Sequence, residues 1–181
     1  VHAAAGGMGL ILCQWAKALG ATTIGTVSTA EKAEVAKAAG CHFPVVRSEK
    51  NFVDVVREVT SDEGCAVVYE AIGKDTLQDS LDSLRPMGVC AAYGHVSGPP
   101  EPVDIIQDLG RRGSLFITRP AIMHYVAKRA DLEWTARDLF QAIGDGVISA
   151  NINYEYELKD AVQAHKAIES GTTLGALVLI P

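Results

Sequence analysis

The sequence predicts an α/β fold, a doubly wound parallel sheet of the Rossmann type. Two observations predict it. The first is the opening stretch, Val1-His2-Ala3-Ala4-Ala5-Gly6-Gly7-Met8-Gly9, where the tail of a buried strand meets a glycine-rich turn and then an apolar helix. The second is the alternation, as far as Tyr93, of β-rich runs with helical segments, the pattern of parallel strands joined by crossover helices.

Val1 to Ala3 reads as the strand tail. The helix after the turn places Leu10, Ile11, Trp15, Ala18 and Leu19 on one face and stops at Gly20. Thr22 to Val27 reads as a strand. Ser28-Thr29-Ala30-Glu31 is a capping-box signature, with Ser28 as the expected cap of a helix ending at Gly40. Phe43 to Val46 is a short strand, and Asn51 to Ser61 a helix with Phe52, Val55, Val56 and Val59 on one side. Cys65 to Glu70 reads as a buried strand, Thr76 to Leu84 as a helix ended by Arg85-Pro86-Met87-Gly88, and Val89 to Tyr93 as a strand followed by the long turn Gly94 to Pro100. Beyond it come a short helix at Ile105 to Leu109, a strand at Ser114 to Pro120, a long helix over Ala130 to Asp145 and an extended Tyr154 to Glu157. A helix then spans Leu158 to Glu169 with Ala161, Val162, His165 and Ile168 on one side, and Leu174 to Ile180 is a final strand.

A chain of 181 residues holds one sizeable domain and part of a second. Its net charge of −6 argues against nucleic acid or an anionic membrane as the main partner. No apolar run is long enough to span a bilayer. Cys13, Cys41, Cys65 and Cys90 form no CxxC pair, which disfavours a zinc lobe and any metal site; they read as reduced core residues of a cytoplasmic protein. The chain opens inside a strand without an initiating methionine and reads as a fragment, with low stability expected in isolation.

Ala4-x-Gly6-x-x-Gly9 is the dinucleotide fingerprint with alanine in the first glycine position. Gly6 would let the backbone approach a pyrophosphate, Gly9 would let the helix lie against the strand, and the N–H groups of the helix start would face the anion. An NAD-preferring unit carries an acidic residue at the tip of the second strand. Here the tip reads Thr26-Val27-Ser28-Thr29, so Ser28, Thr29 and Lys32, with Arg47 from the next strand tip, form a candidate 2′-phosphate pocket. Glu31 is the contrary hint. The reading is NADPH over NADH.

The opening motif, Gly25 to Lys32, Val67 to Gly73, Ser114-Leu115-Phe116-Ile117-Thr118-Arg119-Pro120 and the ending Leu177 to Pro181 run along essentially the whole chain. Together they resemble the quinone oxidoreductase (zeta-crystallin-like) branch of the zinc-independent medium-chain dehydrogenases/reductases. The resemblance implies that an amino-terminal GroES-like catalytic domain lies outside this chain. Residues 1–147 would then be the NADPH-binding domain, and 148–181 the helix and strand that return to the catalytic domain. It implies NADPH binding by Gly6, Gly7, Met8, Ser28 and Lys32, with the loops Gly94-His95-Val96-Ser97 and Phe116-Ile117-Thr118 beside the nicotinamide; Ala5 and Gly9 of the same turn are further candidate contacts. It also implies an NADPH-dependent quinone reductase, a homodimer joined through the sheet edge near Phe116 to Thr118. An enoyl thioester reductase and a non-catalytic NADPH-binding module are the alternatives. Two departures stand out: Arg47 where a tyrosine is expected, and Ser170-Gly171-Thr172 where relatives can offer an arginine.

Hydride transfer to a quinone needs little from the protein beyond placement of the reactants, and no catalytic residue is assigned. His2 reads as structural. His95, in a glycine-flanked loop at the carboxyl side of a strand, is a candidate contact. Glu70 reads as a structural partner of backbone, Arg119 as the partner of a carboxylate in a loop or interface, His124 and His165 as structural or surface residues, and Trp15 and Trp134 as packing residues.

Overall fold

Every strand pairing in the computed structural model, which describes all 181 residues, is parallel. In chain order the elements are α1 (Gly7–Ala18), β1 (Ile24–Val27), α2 (Ala30–Ala38), β2 (Phe43–Val46), α3 (Phe52–Thr60), β3 (Cys65–Glu70), α4 (Leu77–Asp82) and β4 (Leu84–Ala92). A π-helical turn at Ile105–Gly110 leads to β5 (Phe116–Thr118), α5 (Ile122–Tyr125) and α6 (Arg129–Gly144). The chain ends with β6 (Ile152–Glu157), a 3-10 turn at Leu158–Asp160, α7 (Ala161–Glu169) and β7 (Ala176–Ile180).

The opening residues sit between β1 and β3. Thr26 N–H donates to the Val1 carbonyl at 2.9 Å, Ala4 N–H to the Thr26 carbonyl at 3.0 Å, and His2 N–H to the Tyr69 carbonyl at 3.1 Å. The expected strand tail is therefore present in its hydrogen bonds, although the backbone turns at Ala3 (φ 51°) before a regular strand forms. The order across the sheet is β2, β1, the Val1–Ala4 segment, β3, β4, β5. Chain order reverses at the opening segment, and such a switch point leaves a crevice at the carboxyl ends of the strands.

Small residues set the packing around that point. Ala4, Ala5, Cys13, Val27, Ala33, Ala36 and Cys41 form one buried cluster between α1, α2 and the sheet. Val68, Leu77, Leu81, Leu84, Cys90 and Leu115 form a second beneath β3 and β4. All four cysteines are unpaired thiols. No helix is long and apolar enough to cross a membrane.

Several elements differ from the sequence reading. The buried residues of α1 are Gly9, where the helix presses on Ala3 and Ala4, and Cys13, not the larger apolar set; Leu19 lies past the helix end and is exposed. In α7 the buried residue is Ala164, while Val162 and Ile168 are exposed. Trp134 lies on the surface of α6, a helix with no buried residue. On β3 only Val68 and Glu70 are buried, and Val67 and Tyr69 stand on a half-exposed face. The Arg85 to Gly88 turn lies inside β4, bulging between the Leu84 and Val89 pairing positions.

β6 and β7 form their own two-stranded sheet. It is tied to the glycine turn: Gly175 N–H donates to the Ala5 carbonyl at 2.9 Å, and Gly6 bridges to Gly175. Ser149 N–H donates to Gln14 Oε1 at 2.8 Å, joining the preceding segment to α1.

Candidate functional site: the carboxyl edge of the sheet

The glycine turn presents a bare helix start. Gly6 caps α1 with extended backbone, no side chain accepts from the first turn, and that turn contains no acidic residue. The N–H groups of Gly7, Met8 and Gly9 are thus offered to an anion at the positive end of a twelve-residue helix. Gly9 admits no side chain: a Cβ there would stand 2.2 Å from the Ala3 carbonyl oxygen and 2.7 Å from the Ala4 Cα. A Cβ on Gly6 would meet the Ala3 oxygen at 3.3 Å, a tight contact. Ala5 is buried and Met8 is exposed. This cradle fits a pyrophosphate.

Parallel register brings Ser28 and Arg47 together. Val27 pairs with Val46, and Arg47 N–H donates to the Val27 carbonyl at 3.1 Å, so both residues leave the same sheet edge side by side. The cap of α2 is Thr29 rather than Ser28. Its hydroxyl accepts from Lys32 N–H at 3.2 Å, because α2 begins only at Ala30 and Thr29, still extended, is the residue in the cap position. Ser28 stays exposed and outside the cap. One turn into α2, Lys32 Nζ donates to the Gly171 carbonyl at 2.5 Å. The segment expected to have lost a phosphate-binding arginine therefore supplies a backbone oxygen to this lysine. Glu31 and Arg47 are exposed.

Behind the edge lies a buried polar chain. Glu70, fully buried at the end of β3, accepts Ile72 N–H at 2.6 Å and Gly73 N–H at 3.0 Å on Oε1. The Thr76 hydroxyl lies 3.0 Å from both carboxylate oxygens, and Ser80 Oγ donates to Oε2 at 2.5 Å. With its single proton committed to Glu70, Ser80 accepts at 2.8 Å from His2 Nε2, so Nε2 bears the hydrogen. His2 Nδ1 then accepts from the Thr26 hydroxyl at 2.8 Å. Burial lowers the His2 pKa to about 4 against the opposing pull of Glu70, which keeps the ring neutral. Burial pushes Glu70 up, yet His2 and the donors from Ser80, Gly73 and Ile72 hold it below the ordinary range. His2 and Glu70 are structural in this geometry. Thr76 and Ser80, which the sequence reading passed over, lie four apart on one flank of the α4 start; that spacing was the available signal.

Glu70 shapes the loops above it. The Ala71–Gly73 turn receives the Gly94–Gly98 turn: Val96 N–H donates to the Ala71 carbonyl at 3.2 Å and Ser97 N–H to that of Ile72 at 2.8 Å. A Cβ on Gly94 would stand 2.4 Å from the Ala71 oxygen. His95 is thus anchored and exposed, with its Nδ1 3.2 Å from Arg119 Nη2. Within this chain Arg119 pairs with no loop carboxylate. Its Nη1 donates to the Ala92 carbonyl at 2.8 Å, an acceptor already in place at the end of β4. Thr118 pairs with Ala91 beside this group, whereas Phe116, opposite Val89 at the amino end of β5, is exposed and farther from the strand ends.

A cleft of about 270 Å³ opens here, lined by Thr118, Arg119, Pro120, Ala121, His124 and Tyr125. A larger groove of about 790 Å³ runs along the outer flank of α1 and α2; of the expected cofactor residues only Gly7 touches it, so it is not the crevice. No three His, Cys, Asp or Glu side chains of this chain come together in an arrangement that could hold a metal.

Residues 7–138 match the family model described as zinc-binding dehydrogenase. The chain is 52% identical to the 2-haloacrylate reductase of a Burkholderia species over all of its length and 54% of that protein's. It is 44% identical to the quinone oxidoreductase of Salmonella typhimurium, over 99% of this chain and 55% of the relative. The crystal structure of Escherichia coli quinone oxidoreductase complexed with NADPH superposes with a TM-score of 0.94 at 43% identity, over 99% of this chain and 56% of that one. The chain spans about half the length of the curated relatives it matches. Gly7 and Gly9 of the glycine turn and strands β1 to β5 lie within the matched stretch, and the chain belongs to the zinc-binding dehydrogenase family.

Proposed function

We propose that this chain is the NADPH-binding part of a quinone oxidoreductase. The observation that supports it most is the uncapped start of α1, pressed onto Ala3 and Ala4 through Gly9, with Ser28, Lys32 and Arg47 and no carboxylate at the tip of β1. In this reading the N–H groups of Gly7, Met8 and Gly9 hold the pyrophosphate, Ala5 and Gly6 keep the backbone close, and Ser28, Lys32 and Arg47 hold the 2′-phosphate. Gly94, His95 and Thr118 flank the nicotinamide, with Phe116 at the outer margin. NADPH supplies the hydride; the protein places it, and solvent supplies protons to the reduced oxygens.

Residues 1–147 form the dinucleotide domain and 148–181 return toward the catalytic domain in this reading. β5 has an unpaired outer edge, and two copies joined there would form one continuous sheet. The four free thiols suit the reducing cytoplasm.

The 52% identity to a 2-haloacrylate reductase favours a second reading, reduction of an electron-poor alkene conjugated to a carboxylate. Turnover of the full-length protein with quinone, 2-haloacrylate and an enoyl thioester, each with NADPH, decides among the acceptors. Binding without turnover of any of them would leave a cofactor-holding module.

A further inference from the structure

Arg119 and His95 are joined across the ends of two strands. The Arg119 guanidinium is pinned by the Ala92 carbonyl at 2.8 Å and points its second nitrogen at His95 Nδ1, 3.2 Å away. A guanidinium has donors and no acceptor, so Nδ1 must accept and the ring proton resides on Nε2. The His95 backbone is held as well. Gly98 N–H donates to its carbonyl at 2.9 Å, its neighbours Val96 and Ser97 bond to the Ala71–Gly73 turn, and a Cβ on Gly73 would stand 2.9 Å from its Cα. That turn in turn rests on the buried Glu70 carboxylate.

We propose that Arg119 is a positioning residue that locks His95 as its Nε2–H tautomer, so that the neutral ring offers one N–H to the oxygen of a small carbonyl-conjugated acceptor beside the 270 Å³ cleft. The proposal rests on the reductase reading above. Hydride addition to a quinone or to an acrylate-type alkene moves negative charge onto a conjugated oxygen. A donor fixed beforehand at that position stabilises the charge without reorganising solvent. The imidazole keeps its proton throughout, and water protonates the product.

The test uses the full-length protein labelled with 15N in its histidines. The His95 ring resonances are assigned by their loss in His95→Gln. The expected spectrum shows an unprotonated Nδ1 and a protonated Nε2 in the parent, a mixture of tautomers in Arg119→Met, and the parent pattern in Arg119→Lys. In steady-state assays His95→Gln lowers kcat by about 100-fold, the scale of one lost oxyanion donor. Arg119→Met lowers kcat by a smaller factor with the KM for NADPH unchanged, and Arg119→Lys restores most of it. A protonated Nδ1 in the parent, an unaltered tautomer in Arg119→Met, or a kcat indifferent to His95→Gln overturns the proposal. Should Arg119→Met fail to fold, the parent spectrum and Arg119→Lys still decide it. A locked tautomer in a protein that reduces none of the three acceptors would reject the reductase reading and the donor role together, and leave the Arg119–His95 pairing standing.

Discussion

His2 and Glu70 approach to 3.4 Å in the interior of the sheet, and the Ser80 hydroxyl bridges them by accepting from one and donating to the other. One residue lies in the opening segment and the other at the end of β3. The pair therefore stitches the two sides of the switch point together just beneath the crevice.

Stability should fall on mild acidification. His2 titrates near 6.5 when unfolded and near 4 when folded, so between these values the unfolded chain binds more protons. Stability is full above about pH 6.5 and declines as pH falls toward 4, by about 3 kcal/mol. Urea titrations at pH 7 and pH 4.5 measure it. In His2→Asn this part of the slope disappears.

Glu70→Gln should destabilise by about 2–4 kcal/mol. Every group facing the carboxylate is a donor, and an amide would turn an N–H₂ toward Ile72 N–H, Gly73 N–H or the two hydroxyls. Hydrogen exchange should quicken at Val96 and Ser97, whose bonds depend on the turn that Glu70 holds.

The two fingerprint glycines should respond differently to alanine. Gly9→Ala drives a methyl into backbone at 2.2 Å and should cost more than about 3 kcal/mol or abolish folding. Gly6→Ala meets one carbonyl at 3.3 Å and should fold, while its methyl crowds the pyrophosphate and weakens NADPH binding at least tenfold. Thermal melts paired with NADPH titrations separate the effects.

The strands were legible because β-rich runs such as Phe43 to Val46 and Cys65 to Glu70 are bounded by glycine and helix signals, and their observed limits agree. The glycine turn was legible because its requirement is local: a close approach that only glycine allows. The buried face of α1 was not, since Gly9 and Cys13 pack by being small while hydropathy ranks Leu10, Ile11 and Trp15 above them. The Glu70 chain was only half legible. Its backbone partners lie two and three residues away, but Ser80 reaches His2 across seventy-eight positions, and no spacing rule encodes that. Within this chain Arg119 meets a backbone carbonyl and a histidine, partners that sequence shows less readily than charges.

Ser28, Lys32 and Arg47 are proposed to make a 2′-phosphate pocket at the tip of β1. Calorimetric titration of the protein with NADPH and NADH, before and after Lys32→Ala, tests it most directly. The expected result is at least a tenfold preference for NADPH, about 1.4 kcal/mol, and its loss in Lys32→Ala with NADH binding unchanged. Equal affinity for the two cofactors in the parent protein would contradict it.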